Sequence, residues 1–344
     1  MNFNDLVVSS DELSELNKLN VLSYNMGQNK KLIQGPGGNT SIKIGKKLFV
    51  KASGKRLDNS LYENIFIPLD LEYVLNIFEN NNKFSDDTEL KTLINTNLKP
   101  SIETFLHALM PFKVVLHSHP LDIIAATAMD DFKKKFEYVL KDILWDLISY
   151  QRPGYPIAES INESLNNQKS NVLFLVNHGL IIGADDIKEA EKIQKYILEK
   201  LKILPRKITT PNKKALKEIA SRIPQSKLPN SDIIHTLGCD PISFNLSKKN
   251  PLYPDHIVFC GYKPKIFNID KYSLDEFKNC PYFIVPDVGV LLLKEQSELL
   301  EIMLETQSEI FLRLDINKRI SFLSNKDCQD LNNWEAEKYR KIIN

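Results

Sequence analysis

The sequence predicts an α/β fold, and three observations support that prediction. Short apolar segments typical of buried strands alternate along the chain with segments whose apolar residues recur at helical spacing. The chain has 344 residues, which is enough for roughly two domains that each bury a core. Its residues are 42% hydrophobic and 26% charged, values that are usual for globular proteins and argue against a disordered or fibrous chain.

Charge and cysteine usage exclude several classes of protein. Lys and Arg (45) balance Asp and Glu (44), so the formal charge of +1 creates no field that would attract nucleic acid or an anionic membrane. The four cysteines lie far apart and form no C-x-x-C pair, which is typical of free thiols in a reducing compartment. The N-terminus has no secretory pattern, and polar residues interrupt the longest apolar run. We therefore expect a soluble, cytoplasmic protein that binds neither nucleic acid nor a membrane.

The first part of the chain predicts a helix, a glycine loop and a hairpin. Leucines recur at helical spacing over 11–28, and a glycine-rich loop follows at 35–41. Two alternating segments, 41–44 and 47–52, flank a Gly-Lys turn and predict a β-hairpin. The hairpin leads into a second small loop at 53–56, which we expect to lie close to the glycine loop.

The rest of the chain predicts two further groups of elements separated by a connector. Before residue 205 we expect helices at 102–110, 120–128, 131–148 and 185–204, and strands at 113–117 and 172–177. After the connector we expect strands at 255–260 and 282–285 and a long helix at 296–314. The predicted organisation is a first domain at 1–204, a basic and proline-punctuated connector at 205–230, and a smaller α/β region at 231–344.

Two stretches of the chain resemble each other. Residues 171–197 and 281–307 share an apolar strand, a glycine turn, a second apolar strand and a helix. A degenerate duplication would explain this similarity, and so would chance, because such patterns recur in α/β proteins. Under either interpretation, the second stretch lacks the histidine of the first.

Three histidines form the pattern that carries chemistry. His117 and His119 lie two residues apart on an extended segment, so both side chains point to the same face. His178 ends another apolar strand, where Gly179 lets the backbone turn away. Three imidazoles with an open coordination position are typical of a catalytic zinc site. We expect one Zn²⁺ per chain, or another divalent metal, with Glu103 as the acid/base beside it.

The alternative is that these are ordinary buried histidines, since a lone H-x-H motif is a weak signal. The metal hypothesis is favoured because the chain has only 6 histidines and three of them terminate apolar strands. His107 lies one helical turn after Glu103 and is placed to orient it. The remaining two, His235 and His256, carry no functional prediction.

The glycine loop and the loop after the hairpin predict an anion site. Backbone N–H groups and hydroxyls of the loop at 35–41 suit a phosphate or a carboxylate, although on the residues alone a plain turn is the favoured explanation. The loop lacks the spacings of Walker and dinucleotide-binding loops, so nucleotide binding is disfavoured. Lys51, Lys55 and Ser53 add two amines and a hydroxyl, and Ser101 adds another. Together these groups suit one anionic head group next to the metal.

These motifs resemble the class II aldolase/adducin family, whose pattern contains Gly-Asn-x-Ser, Lys-x-Ser-Gly, Ser-x-Glu, His-x-His and a distant His-Gly. All five occur here in order, over roughly residues 10–204. They are Gly38-Asn39-Thr40-Ser41, Lys51-Ala52-Ser53-Gly54, Ser101-Ile102-Glu103, His117-Ser118-His119 and His178-Gly179. Further segments, including GGNTS and Pro254-Asp255-His256, are most similar to the aldolase part of fused rhamnulose phosphate aldolase/dehydrogenase proteins. This sequence has no stretch like their dehydrogenase domain, so we expect no nicotinamide chemistry from it.

The resemblance implies roles for individual residues. The three histidines would hold zinc, and Glu103 would move a proton on the substrate. A tyrosine would protonate the leaving aldehyde, and Tyr150 is favoured over Tyr155 and Tyr138. The phosphate of the substrate would bind Gly38, Asn39, Ser53, Gly54 and Ser101. Fuculose phosphate aldolase typically has Ser-Ser-Glu where this chain has an isoleucine before the glutamate, so the phosphate pocket is expected to differ.

The resemblance also implies a fold and an activity. The expected fold is a three-layer α/β/α sandwich around a largely antiparallel sheet, followed by a smaller C-terminal α/β region. The expected activity is reversible aldol cleavage of a short ketose phosphate through an enediolate that zinc stabilises. The alternatives are a sugar phosphate 4-epimerase, decarboxylase or dehydratase, and a non-catalytic scaffold like adducin. A small phosphorylated sugar or sugar acid is the expected partner, and a homo-oligomer the expected assembly.

Overall fold

The main sheet, in the part of the chain that the structure describes, has seven strands in the order β3-β2-β1-β4-β7-β6-β5. Every neighbouring pair is antiparallel except β5 and β6, which run parallel. The computed structural model describes residues 9–80, 90–268, 280–293 and 298–334. The strands are β1 (Asn39–Ile44), β2 (Lys47–Lys51), β3 (Phe66–Asp70), β4 (Val114–Ser118), β5 (Trp145–Ile148), β6 (Val172–Leu175) and β7 (Gly179–Ala184).

Helices cover both faces of this sheet. They are α1 (Ser10–Gln28), α2 (Leu71–Glu79), α3 (Thr104–Leu109), α4 (Leu121–Thr127), α5 (Phe132–Val139), α6 (Tyr155–Asn167) and α7 (Ile187–Lys200). On one face, α1, α5 and α7 bury side chains such as Leu16, Phe136 and Ile197 against the sheet. On the other face, α2, α3 and α6 pack against alternate residues of the same strands. The predicted three-layer α/β/α sandwich with a largely antiparallel sheet is confirmed.

Within the described residues, a second sheet in the C-terminal part has four strands in the order β8-β11-β10-β9. Its strands are β8 (Ser226–Lys227), β9 (Lys265–Ile266), β10 (Tyr282–Val285) and β11 (Gly289–Leu293). The helices around it are α8 (Lys213–Arg222), α9 (Thr236–Cys239), α10 (Pro241–Ser247), α11 (Pro254–Cys260), α12 (Glu298–Arg313) and α13 (Asn325–Asn333). None of the described helices is long and apolar enough to cross a membrane.

The segment expected to be a connector carries α8 and β8. Leu216 and Ile219 of α8 pack with Phe283 and Leu291 of the second sheet, and β8 pairs with β11. Proline and lysine content led to the expectation of a linker, but the apolar residues of α8 are spaced for one buried face. Much of residues 205–230 therefore belongs to the second core.

Two predicted elements are wrong. Residues 131–148 form no single helix, because α5 ends at Val139 and Trp145–Ile148 is strand β5, paired with β6. No glycine or proline marks this break, so only the pairing with β6 decides it. Residues 255–260 are not a strand but lie in α11. Short apolar runs do not distinguish strand from helix, whereas Pro254 in the first turn and Gly261 at the end are helix boundary signals.

The two similar stretches of the chain adopt the same hairpin. Leu175 pairs with Gly179 across the first turn, as Val285 pairs with Gly289 across the second. Each turn contains a residue with positive φ, and each hairpin is followed by a long helix, α7 or α12. Val288 stands at the position of His178, so the second hairpin has no imidazole there.

Helix α4 connects the two parts of the molecule. It begins two residues after His119, and its residues Leu121 and Ile124 are buried in the C-terminal core together with Met303 and Leu304 of α12. The apolar face of α4 is thus covered by the second part of the chain. This packing brings the C-terminal helices close to the end of β4.

Candidate metal centre

The end of strand β4 positions two of the three histidines. β4 lies in the middle of the sheet, between β1 and β7, and His117 is opposite Asn39 on β1 and Ile181 on β7. His119 follows the last residue of the strand, and its backbone N–H donates to the carbonyl of Leu32 at 3.0 Å. Both side chains are buried.

The turn between β6 and β7 positions the third histidine. Asn177 adopts a left-handed conformation (φ 55°), which asparagine tolerates better than most residues. Its side-chain amide donates to the carbonyls of Leu252 and Ser321, at 2.8 and 2.9 Å. Gly179 is required for close packing, because a Cβ there would lie 2.3 Å from the carbonyl oxygen of Ser118. The turn therefore presents His178 directly beside the end of β4.

The three imidazoles converge, and a carboxylate lies against them. One nitrogen from each histidine lies within 4.8 Å of the other two. The Nε2 atoms of His117 and His119 are 3.0 Å apart. Glu103 places Oε2 at 3.4 Å from Nε2 of His117, and Oε1 at 3.5 Å from Nε2 of His178.

Burial sets the protonation states of this cluster. It lowers the pKa of His117 to about 4 and that of His178 to about 3, so both rings are neutral near pH 7. Neutral imidazole is the form that binds a metal. Burial raises the pKa of Glu103, but the positive charge that the imidazoles carry at the low pH where this carboxyl titrates, together with a hydrogen bond from Asn39, outweighs it, and the pKa falls to about 2. The site thus combines neutral nitrogen donors with one carboxylate anion.

A chain of hydrogen bonds fixes Glu103 from behind. The side-chain amide of Asn39 donates to Oε2 of Glu103 at 2.7 Å, and its oxygen accepts from Nε2 of His107. The other ring nitrogen of His107 accepts from the hydroxyl of Ser41 at 2.7 Å. Burial lowers the pKa of His107 to about 3, which keeps this ring neutral. His107 therefore acts on Glu103 through Asn39.

The donor set fits a divalent metal ion. Oε1 of Glu103 is buried and has no hydrogen-bond partner among the described residues, which is costly for a carboxylate oxygen unless a cation lies nearby. Three imidazoles that leave a coordination position open match the ligand type and number of catalytic zinc sites. His117, His119 and His178 would hold the ion, and Glu103 would lie beside it.

The predicted anion-binding residues lie in the same pocket as the histidines. The pocket is lined by Gly38, Asn39, Ser53, Gly54 and Ser101 together with Glu103, His119 and His178. Lys51 also lines it and is buried, with its ammonium donating to the carbonyls of Pro36 and Lys55 at 2.9 and 2.6 Å. The glycine loop and the loop after the hairpin both line this pocket and are thus adjacent, as expected.

Comparison with known protein families shows to which family this chain belongs. The sequence model of the Class II Aldolase and Adducin N-terminal domain matches residues 20–203, more than half of the chain. The chain belongs to the class II aldolase/adducin family. Its seven-stranded sheet with helices on both faces is the fold of this domain, and the three histidines lie inside the matched region.

Individual relatives match mainly this domain. The uncharacterized oxidoreductase YuxG of Bacillus subtilis (strain 168) is 29% identical over 172 residues, which cover 45% of this chain and 24% of YuxG. The N-terminal class II aldolase domain of a conserved Thermoplasma acidophilum protein is 27% identical, with a TM-score of 0.48, and covers 57% of this chain and 95% of that one. L-fuculose-1-phosphate aldolase from Thermus thermophilus is 16% identical, with a TM-score of 0.37, and covers 54% and 92%. The chain thus spans less than a quarter of the length of YuxG.

The predicted proton-donating tyrosine does not line the pocket of this class II aldolase/adducin domain. Tyr150 packs against the small cluster of Ile257 and Leu323, and Pro153 is the nearest residue of its loop in the pocket lining. Tyr155 packs among the side chains of the α2 and α3 layer, and Tyr138 is 82% exposed. The catalytic role of Tyr150 stays a prediction that the position of its side chain does not favour.

One residue of the pocket was missed by the motif analysis. Asp255, in the first turn of α11, lines the pocket beside His119, although it lies outside the region matched by the family. Its segment was predicted to be a strand, which gave no reason to expect it near the histidines. The only signal in the sequence analysis was the Pro-Asp-His motif, which resembles the corresponding sequence of the fused aldolase proteins.

Proposed function

We propose that this protein is a metal-dependent lyase that catalyses reversible aldol cleavage of a short ketose phosphate. The observation that carries the proposal is a cluster of three imidazoles beside a pocket that Glu103 and the anion-binding loops line. A carbon–carbon lyase of this kind needs an electrophile for the substrate carbonyl, a base for a proton and a site for the phosphate. The pocket offers a group for each of these tasks.

In the proposed reaction, the residues around the site would bind the metal, transfer a proton and bind the phosphate. His117, His119 and His178 would hold a divalent ion, which would supply a Lewis acid to the substrate. Glu103 takes or returns the proton at the carbon next to the carbonyl, and Asn39 keeps its carboxylate oriented toward that carbon. Lys51 and the hydroxyls of Ser53 and Ser101 hold the phosphate, so the reacting end of the sugar points at Glu103.

Substrate entry requires movement of the residues that line the pocket. The cavity holds about 30 Å³, which is room for only a few water molecules. A sugar phosphate is much larger than this, and Pro153, before α6, and Pro254, at the start of α11, are among the residues that line the pocket. We therefore expect the loop before α6 and the start of α11 to move apart when substrate binds.

Metal analysis and product detection test the proposal in turn. Purified protein is analysed by plasma mass spectrometry beside the double variant His117→Ala/His119→Ala and the control His235→Ala, which removes a buried histidine outside the site. About one metal ion per chain is expected in the wild type and the control, and little in the double variant. The wild type is then incubated with ketose phosphates, and aldehyde release is measured with a coupled reductase.

Two results would overturn the proposal. A wild-type protein that takes up no zinc, cobalt or manganese would leave a non-catalytic scaffold as the better account. A metal-loaded protein that releases carbon dioxide or an epimer, and no aldehyde, would replace aldol cleavage by another reaction of the same family.

A further inference from the structure

Helix α11 brings a carboxylate from the C-terminal part of the chain to the metal centre. Oδ2 of Asp255 lies 3.1 Å from Nδ1 of His119, and both side chains are almost fully buried. Asp255 lies beyond residue 203, where the match to the class II aldolase/adducin domain ends. The contact is therefore a feature that the C-terminal part adds to the domain.

The two nitrogens of His119 have different surroundings. Nδ1 faces Asp255, while Nε2 faces the cluster and lies 3.0 Å from Nε2 of His117. His117 has the same arrangement, because its Nδ1 donates to the carbonyl of Leu180 at 3.1 Å and its Nε2 faces the cluster. In metal sites, a carboxylate or carbonyl on the far nitrogen fixes the tautomer and the ring orientation of the ligand.

The glycine loop leaves space for this contact. A Cβ at Gly37 would lie 3.0 Å from both Oδ2 of Asp255 and Nδ1 of His119. Any side chain at this position would press on both atoms at once. The glycine, the aspartate and the histidine thus come from three separate segments and meet at one point.

Helix stabilisation alone does not account for the position of Asp255. An acidic residue in the first turn favours a helix through the backbone dipole, and it does so while exposed to water. The side chain of Asp255 is instead only 5% exposed, and burying a carboxylate is costly unless a positive or hydrogen-donating group faces it. Nδ1 of His119, at 3.1 Å, is the group that faces this carboxylate.

From this geometry we infer that Asp255 is a positioning residue of the metal centre. Its carboxylate holds the ring of His119 in the tautomer that carries the proton on Nδ1, which leaves the lone pair of Nε2 directed at the metal. The inference rests on the metal site of the proposed function, but it does not depend on which reaction the site catalyses. The first domain supplies the ligands of the metal, and the C-terminal part of the same chain supplies the residue that orients one of them.

Metal affinity of the full chain tests this role. Zinc dissociation constants are measured by chelator competition for the wild type, Asp255→Asn and Asp255→Ala. Loss of such an outer carboxylate typically weakens metal binding about 10- to 100-fold, and we expect the larger loss for alanine, because asparagine still offers a neutral acceptor. The absorption spectrum of the Co²⁺-loaded protein should also change, because the His119 ring is no longer held.

A matched variant separates this role from helix stability. Asp240→Asn removes another largely buried aspartate, which caps α10 through Ser243 and lies outside the pocket. It should lower the unfolding midpoint of the metal-free protein without changing the zinc constant or the Co²⁺ spectrum. Asp255→Glu should restore part of the affinity that Asp255→Ala loses.

The outcomes distinguish the inference from the function on which it rests. Wild-type zinc constants and Co²⁺ spectra for the Asp255 variants would overturn the positioning role and leave the metal site intact. Weaker metal binding by these variants, together with no aldehyde release by the wild type, would support the positioning role and reject the aldolase. A wild type that binds no metal would overturn both.

Discussion

Side chains at the metal centre are held by partners on the side away from the proposed ion. Glu103 is held by Asn39, which is in turn held by His107 and Ser41. His117 is held by the carbonyl of Leu180. Buried networks of this kind restrict rotamers, because each polar group would lose its partner on moving. These hydrogen bonds fix the orientation of the side chains at the metal centre. Substitution of Glu103 or of a partner that holds it should therefore change catalytic activity more than the free energy of unfolding.

Substitution of Glu103 by glutamine should separate metal binding from catalysis. Glutamine has the same shape and still accepts the hydrogen bond from Asn39, but it does not take up a proton. We expect turnover to fall by a factor on the order of 10²–10⁴, the usual contribution of a general acid/base, with metal content unchanged. Steady-state kinetics and metal analysis measure the two effects.

A suitable control for this substitution is Glu63→Gln. Glu63 pairs with Lys55 at 2.6 Å but does not line the pocket, so its variant should keep nearly full turnover. Full activity of Glu103→Gln would remove Glu103 from the mechanism.

At the scale of elements, the tight contact between β4 and the turn before β7 sets the position of His178. The turn contains Asn177 in a left-handed conformation and is tied to the carbonyls of Leu252 and Ser321. Gly179 then lets β7 approach the end of β4. The backbone of the turn, rather than the imidazole itself, decides where the third ligand lies.

Gly179→Ala should therefore damage both stability and metal binding. Its Cβ would lie 2.3 Å from a backbone oxygen of Ser118, so the two strands would have to separate. Overpacking of this kind typically costs roughly 1–3 kcal/mol, and we expect at least about 2 kcal/mol together with a lower metal content. Urea unfolding in chelator and metal analysis give the two measurements.

Gly45→Ala provides the comparison for this prediction. Gly45 also has restricted conformation (φ 57°), but a Cβ there would meet nothing within 4 Å. Its variant should lose roughly 1–2 kcal/mol from the left-handed backbone alone and keep its metal. Equal metal content in the two variants would show that the contact with Ser118 does not position His178.

At the scale of the whole molecule, packing of the two cores buries histidines and so keeps them neutral at pH values where an exposed histidine would be protonated. Burial lowers the pKa of His107 and of His256 to about 3, and neither belongs to the ligand set. In the unfolded chain a histidine titrates near pH ~6.5. As pH falls below this value, the unfolded state binds protons that the folded state does not, so stability is lost.

The free energy of unfolding of the metal-free protein should consequently fall between about pH 6.5 and pH 5. Each of these buried histidines contributes a slope that approaches about 1.4 kcal/mol per pH unit. Urea unfolding at a series of pH values measures this slope, and His256→Leu should reduce it by the contribution of one histidine. A stability that is constant over this range, or a slope that His256→Leu leaves unchanged, would contradict the prediction.

Local patterns in the sequence were sufficient for most elements and for the composition of the candidate site. The short apolar run at 113–117 predicts the strand that carries His117, and the glycine loops are recognisable by their residue types. The three histidines cluster, and Glu103, two of these histidines and the loop residues line one pocket, all of them singled out by spacing and by family resemblance. The information is local because strand periodicity and turn chemistry depend on neighbouring residues.

Only the tertiary structure decided the identity of β5 and α11 and the approach of Asp255 to His119. Trp145–Ile148 is a strand because it pairs with β6, and short apolar runs are compatible with either element. Asp255 reaches the metal centre because α4 buries one face in the C-terminal core, which places α11 over the pocket. Contacts between residues far apart in the chain arise from how two apolar surfaces pack, and no local spacing encodes that packing.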